Sequence, residues 1–363
     1  MQKKLIIFIP SIEGGGVEKN LFIISNYLKE KINNISVITI SNKFKNRFSG
    51  KINFISPKGN FWNSIGRRKK FFVGLLLLFK EILKDRNILV FSFQGNVYCT
   101  LLCKLLGIKI IVRSNSAPDG WSQNKFKYLV FKYVLKNADK IIVNSLDFKR
   151  KFKTKFKIQA ECIYNPLNKN EIIKKSKMKT KIKFDKKKLN LINVARYSDQ
   201  KDQLTLLKAV NRIKNKIKFN LLLVGRGTEK NNLKKYILTN NLSKQVRLIN
   251  FQNNPFNLIK SSDIFILSSL YEGLPNVLLE SQVLKKFIIS SNCPTGPREI
   301  LLNGRAGFLF EVGDYIKLSN LILDYSKNKK LLSKKILIGY KNLNRFDYNH
   351  NLKKYLKIIN SFI

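Results

Sequence analysis

The sequence is short of acid. Among its 363 residues, Asp and Glu number 22 against 70 Lys and Arg, a formal net charge of +48. Histidine occurs once, at His350, and the four cysteines (Cys99, Cys103, Cys162, Cys293) form no CxxC pair. That scarcity speaks against a zinc site, a disulfide scaffold and a Ser-His-Asp triad. The reducing cytosol is the expected compartment. Long apolar runs are also missing. The longest, Phe71 to Phe79, has nine residues, against about twenty needed to span a bilayer, which excludes an ordinary transmembrane helix. The segment Met1–Pro10 is too soon interrupted for a secretory signal and is expected as a buried strand. What is present is 44% hydrophobic and 11% aromatic residues, enough to bury a core, so the chain is not a disordered basic tail. Its length suggests two domains.

Short apolar runs alternate with helical patterns. Leu5–Pro10, Ile35–Ile40, Ile88–Phe93, Ile108–Arg113 and Lys140–Val143 read as strands in the first half. A helix is expected from Val17 to Lys29, after the run Gly14-Gly15-Gly16. Such alternation means βαβ units and a parallel sheet. The Lys-rich stretch 168–188 breaks the rhythm and reads as an interdomain linker. Strands then resume at Leu189–Val194, Phe219–Val224, Val246–Ile249, Asp263–Leu267 and Phe287–Ser290. Two α/β domains of this kind bind ligands outside the carboxyl ends of their strands.

The most informative segment is Ser269-Leu270-Tyr271-Glu272-Gly273-Leu274-Pro275-Asn276-Val277-Leu278-Leu279-Glu280. It places a turn after a strand, a helix start near Asn276, and two glutamates eight residues apart. A helix N-terminus offers backbone N–H groups and a positive dipole end to a phosphate or hydroxyl. A carboxylate accepts two hydroxyl hydrogen bonds, as a sugar diol requires. By spacing alone a second reading stands equally: Glu272 as a helix-dipole partner and Glu280 as a solvated helix residue.

This segment resembles the E-x7-E motif of the retaining GT-B glycosyltransferases of family 4. Other landmarks follow in order. Gly15-Gly16-Val17-Glu18-Lys19 is similar to the family's Gly-Gly-x-Glu-Arg, and Ala138–Ser145 and Tyr164-Asn165-Pro166 match further landmarks. Val194-Ala195-Arg196 through Lys201 resembles the family's Gly-Arg…Lys segment, and Leu222-Leu223-Val224-Gly225-Arg226-Gly227 its Val-Gly-x-Gly turn. Ser291 to Leu301 is similar to the form found in bacterial surface-polysaccharide, lipopolysaccharide and lipid-linked-oligosaccharide transferases.

The resemblance implies a GT-B fold, two doubly wound parallel-sheet domains facing a cleft. Residues 1–167 would bind the acceptor and face the membrane, 168–188 would link, and 189–345 would bind the nucleotide sugar. The helix 346–363 would cross back to the first domain. It implies transfer of a hexosyl or N-acetylhexosaminyl group, with retention, from a nucleotide-diphosphate sugar (UDP by resemblance). The acceptor would be a lipid-linked or surface-polysaccharide glycan such as O-antigen. No metal or other cofactor is expected. Arg196 and Lys201 would hold the diphosphate, suited to it as planar fork and point charge. Glu280 would accept the ribose hydroxyls. Glu272, with backbone N–H groups from Gly273, Leu274, Pro275 and Asn276 as a segment, would contact the donor sugar. Gly15 and Gly16 would let the backbone approach the pyrophosphate. The turn Gly225-Arg226-Gly227 reads as structural. Many relatives carry a cleft histidine that this chain lacks; Arg113 or Asn115 is expected on the acceptor side instead, with His350 at the surface or in helix packing.

Residues 121–188 carry 21 Lys and Arg against 5 Asp and Glu, interleaved with aromatics. Arg67-Arg68-Lys69-Lys70 precedes the run Phe71–Phe79. Cations beside apolar residues suit an anionic membrane surface, placing the chain on the inner face of the cytoplasmic membrane. The same run also reads as a buried helix with snorkelling cations, and part of the charge as compositional bias. Two other functions compete: a single-stranded nucleic-acid binder, for which no accompanying RNA- or DNA-binding signature is present, and a non-catalytic GT-B scaffold.

Overall fold

The computed structural model describes residues 3–13, 16–115, 124–182 and 184–363. The chain divides into two compact units, Met1–Pro166 with Tyr348–Ile363, and Leu167–Asp347. Each is a doubly wound parallel α/β unit, as the alternation of strand and helix patterns demands.

In the first unit the strands are β1 (Lys4–Phe8), β2 (Ile35–Ile38), β3 (Asn53–Ile55), β4 (Ile88–Ser92), β5 (Lys109–Ser114), β6 (Lys140–Val143) and β7 (Glu161–Cys162). They pair in parallel in the order β3-β2-β1-β4-β5-β6-β7. The helices are α1 (Gly16–Lys29), α2 (Phe61–Ser64), α3 (Arg67–Lys84), α4 (Asn96–Leu105), α5 (Lys125–Lys136) and α6 (Leu146–Lys151). Because helices cover both faces, the central strands are apolar throughout rather than alternating. Leu5 and Ile7 enter a core shared with α1. Ile6 and Phe8 enter the opposite one, shared with α3 and α4.

The second unit holds α7 (Lys169–Ser176), β8 (Leu189–Val194), α8 (Gln203–Ile213), β9 (Phe219–Gly225), α9 (Lys230–Thr239), β10 (Val246–Asn250) and α10 (Phe256–Ser261). It continues through β11 (Ile264–Leu267), α11 (Asn276–Val283), β12 (Phe287–Ser291), α12 (Pro297–Ile300), β13 (Phe308–Phe310) and α13 (Tyr315–Lys341). The sheet order is β10-β9-β8-β11-β12-β13, again all parallel. One core lies under α8, α9 and α13.

One departure from the sequence reading concerns a connection. The stretch expected as a linker is not one over its first half: Lys169–Ser176 is the helix α7 and belongs to the second unit. Asn168 caps it by accepting from Glu171 N at 3.0 Å. Ile172 is buried, and Asn254 Nδ2 donates to the Lys175 carbonyl at 2.9 Å. A two-turn helix needs only that narrow apolar contact, which a Lys-rich composition conceals. The chain passes between units at Pro166/Leu167 and returns at Asp347/Tyr348. The returning helix, α14 (Tyr348–Asn360), places Leu352, Tyr355, Ile358 and Ile359 in the α1-side core of the first unit. His350 is exposed on it.

Candidate functional site

In an open parallel sheet, the point where strand order reverses leaves a crevice outside the carboxyl ends of two adjacent strands. In the second unit those strands are β8 and β11. The loops leaving both carry the residues singled out from the sequence.

After β8 the chain turns through Arg196 and Tyr197 into a short 3-10 helix, Asp199–Lys201. Tyr197 anchors this turn: its buried hydroxyl donates to the carbonyls of Leu223 and Ile249 at 2.6 and 2.7 Å, and burial pushes its pKa up. The turn also lies hard against β9. A Cβ on Gly225 would sit 1.9 Å from the Ala195 carbonyl oxygen, so Gly225-Arg226-Gly227 keeps the neighbouring backbone close. Gln203 Nε2 donates to the Arg196 carbonyl at 2.8 Å. The Arg196 side chain is exposed, while the Lys201 side chain is largely covered.

After β11 the loop Ser268–Pro275 leads into α11. Glu272 is buried, and Lys201 Nζ lies 2.5 Å from its Oε1. Ser269 Oγ donates to the same oxygen at 2.7 Å. Ser268 Oγ donates to the Lys201 carbonyl at 3.0 Å, and Leu270 N to the Gln200 carbonyl at 2.8 Å. The two loops are thus stitched across the reversal point by backbone, hydroxyl and ion pair. Leu274 and Pro275 are buried, Gly273 and Asn276 half-buried, and Glu280 is buried within α11.

A third segment, which the sequence reading left without a role, supports this loop. Thr295 Oγ1 donates to the Glu272 carbonyl at 2.6 Å, and Ser291 Oγ to the Ser269 carbonyl at 2.7 Å. Gly296 has φ +86°, and a Cβ there would meet the Gly273 carbonyl oxygen at 2.3 Å. The signal for it was the Thr-Gly-Pro turn just beyond a strand. Cys293 lies in the same segment. Burial first, and the Glu272 charge second, push its thiol up to about 12, so it is a protonated packing group at neutral pH.

The cluster therefore offers an exposed guanidinium, an ammonium held on a carboxylate, and two buried carboxylates. An arriving phosphate can compete with Glu272 for Lys201, since charge-assisted hydrogen bonds to phosphate are strong. A cavity of about 690 Å³ opens nearby, lined by Asp199, Asp202, Glu229 and Lys235 among others; three carboxylates against one ammonium leave it the wrong sign for a diphosphate. Among the described residues no three His, Cys, Asp or Glu come together as a metal cluster.

In the first unit the order reverses between β1 and β4. Gly15 lies outside the described residues; Gly16 opens α1, and Glu18 in its first turn accepts from Glu13 N at 3.4 Å. Arg113, expected on the acceptor side, is instead fully buried. It donates to Tyr355 Oη at 2.9 Å, to Asn165 Oδ1 at 2.7 Å and to Asn115 Oδ1. Asn115 in turn donates to the Phe93 carbonyl at 2.9 Å. Arg113 braces the interior of the unit, and the half-buried Asn115 is one of its partners. The polar groups at the reversal point are others: Ser11 N donates to Gln94 Oε1 at 3.3 Å, and Ser92 Oγ to Asn96 Oδ1 at 2.9 Å. Sequence reasoning passed over them, because isolated Ser, Gln and Asn carry no motif.

Comparison with known proteins places this geometry. Residues 174–342 match the family model for glycosyl transferases group 1. An uncharacterized glycosyltransferase of Methanocaldococcus jannaschii is 36% identical over 186 residues, which cover 49% of this chain and 46% of that protein. The N-acetylgalactosamine-N,N'-diacetylbacillosaminyl-diphospho-undecaprenol 4-alpha-N-acetylgalactosaminyltransferase of Campylobacter jejuni is 27% identical over 326 residues, covering 85% of this chain and 86% of that one. Anabaena HepE, solved in complex with UDP, superposes with a TM-score of 0.79 at 17% identity over 99% of this chain and 100% of its own. The chain thus carries a glycosyl transferases group 1 domain, the domain of a transferase enzyme, over residues 174–342 on a GT-B fold of two parallel-sheet units.

Proposed function

We propose that the chain is a retaining glycosyltransferase of family 4. It moves a hexosyl or N-acetylhexosaminyl group from a UDP-sugar to a lipid-linked or surface-polysaccharide glycan, without a metal, at the inner face of the cytoplasmic membrane. The observation that carries this reading is the Lys201–Glu272 pair spanning the β8/β11 reversal point. Arg196 and Lys201 take the diphosphate and Glu280 the ribose. Glu272, released from Lys201, accepts from the donor sugar. As the glycosidic bond breaks, negative charge grows on the departing diphosphate and positive charge on the sugar. Fixed cations at the diphosphate stabilise that separation, and retention follows if the acceptor attacks from the face the diphosphate leaves. The glutamates serve here as binding groups, unlike the acid and nucleophile pair of a glycosidase. The UDP seen with HepE and the diphospho-undecaprenol in the name of the Campylobacter relative support the choice of donor and acceptor.

A thermal-shift panel of UDP-, GDP- and ADP-sugars tests it. A ligand at 100 times its Kd stabilises by about 2.7 kcal/mol, and UDP-sugars are expected to give the largest shift. Glu272→Ala is expected to keep the fold and lose transfer. No shift with any nucleotide sugar overturns the reading.

A further inference from the structure

Three neighbouring helices of the first unit turn apolar stripes outward. Leu78 and Ile82 of α3, Cys99 and Cys103 of α4, and Leu135 of α5 share one core on one face of the sheet. The three helices therefore lie side by side, each with its other side away from the sheet. On α3 that other side carries Phe72, Leu76, Phe79 and Leu83, all exposed. At 3.6 residues per turn they fall roughly 150° round the helix from the mean of its buried positions, Lys70, Gly74, Leu78 and Ile82. On α4 the exposed set is Tyr98, Leu101 and Leu105, and on α5 it is Phe126, Leu129, Val130 and Tyr133. Every set follows the i, i+3, i+4, i+7 spacing of one helix stripe. Leu83, Leu105 and Tyr133 are 66%, 76% and 73% exposed, so these side chains are not merely edges of the core. Exposed apolar side chains grouped in this way on neighbouring helices point to an interaction site.

Charge selects the occupant. The three helices contain eleven Lys and Arg and one acidic residue, Glu81. Glu81 is held by Lys4 and Lys84 at 2.9 and 2.8 Å. Arg67, Arg68 and Lys69 stand exposed at the start of α3. Helices that turn apolar stripes outward and are themselves rich in Lys and Arg, with almost no acid, fit a plane of averaged negative charge over hydrocarbon. Among the described residues no helix is long and apolar enough to cross a membrane, so such helices lie on a bilayer rather than through it.

We propose that the outward face of α3, α4 and α5 is the docking surface of this protein for an anionic phospholipid bilayer, with the stripes entering the headgroup–acyl boundary. The inference rests on the membrane-surface reading above and names the part of the chain that meets the lipid. The test is sedimentation of the full chain with phosphatidylglycerol-containing and pure phosphatidylcholine vesicles at low and high salt. Binding is expected to the anionic vesicles and to weaken with salt. A Phe72→Ser, Leu76→Ser, Leu101→Ser, Tyr133→Ser variant is expected to lose roughly tenfold or more of that partitioning. Its urea-unfolding midpoint by tryptophan fluorescence is expected to stay intact and shows that the first unit is folded, and its thermal shift with UDP, read in parallel, is expected to be unchanged. Absence of binding to anionic vesicles overturns the proposal. So does equal binding by a folded variant, or light scattering that shows a wild-type dimer lost in the variant. Vesicle binding without any nucleotide response would keep this surface and sink the proposed donor chemistry.

Discussion

Arg113 brings a positive charge into the interior of the first unit, where desolvation is costly. Its three nitrogens each meet a side-chain oxygen, from Asn165, Tyr355 and Asn115. The planar fork is what allows one side chain to serve three directions at once. Arg113→Ala takes a charged donor from all three partners, two of them buried, and is expected to cost about 3 kcal/mol. Arg113→Lys, with one ammonium in place of the fork, is expected to recover less than half. Both tryptophans, Trp62 and Trp121, fall within the chain span of the first unit, so urea unfolding followed by tryptophan fluorescence reads this directly; an unchanged midpoint overturns the bracing role. Cys293 makes a second residue-scale prediction. Its folded thiol holds a proton to about 12 against an ordinary value near 9. Its contribution to stability is therefore full below about pH 9 and is lost as pH rises toward 12. Iodoacetamide at pH 9 is expected to leave Cys293 unmodified until the second unit unfolds, as peptide mapping would show. Fast labelling of the native chain would contradict the burial.

At the scale of elements, legibility followed the length of the apolar run. Strands such as β1, β4, β8 and β9 are almost wholly buried, so their Ile, Leu, Val and Phe announced them, even where asparagines interrupt β8 and β9. The edge strands β3 (Asn-Phe-Ile), β7 (Glu-Cys) and β13 (Phe-Leu-Phe) are two or three residues long, too short for any periodicity to register. The helix α7 hid for a related reason, with Ile172 as its one buried apolar residue. In the site, Lys201 and Glu272 were legible because each sits in a recognisable spacing. Their bond to one another was not, since it joins loops 71 residues apart. The acceptor-side reading of Arg113 went astray on the same kind of distance. Asn165 and Tyr355, which make it a brace, lie 52 and 242 positions away. A polar residue at the end of a strand looks alike in sequence whether it faces a ligand or the interior; only its partners separate the two.

The charge acts on the molecule as a whole. Twenty-two acids cannot neutralise 70 cations, and several are already shared: Asp139 meets both Lys104 and Lys109, and Glu81 both Lys4 and Lys84. Exposed pairs such as Lys175–Glu171 contribute little each, so the net effect of the surface is self-repulsion of the compact state. Screening relieves repulsion, with a Debye length of about 10 Å at 0.1 M salt and about 3 Å at 1 M. Raising sodium chloride over that range is therefore expected to raise Tm, measured by calorimetry at fixed pH. A Tm that falls would mean that attractive pairs, not excess cations, dominate the surface. The same salt is expected to weaken adhesion to anionic vesicles, because there the cations gain from an unscreened partner. The Lys201–Glu272 pair, with side chains only 16% and 8% exposed, is shielded from both effects. Salt thus separates two kinds of positive charge: one largely covered ion pair at the candidate site that responds little, and a broad cationic surface that repels itself in dilute buffer and is relieved by ions or, on the docking proposal, by a lipid plane.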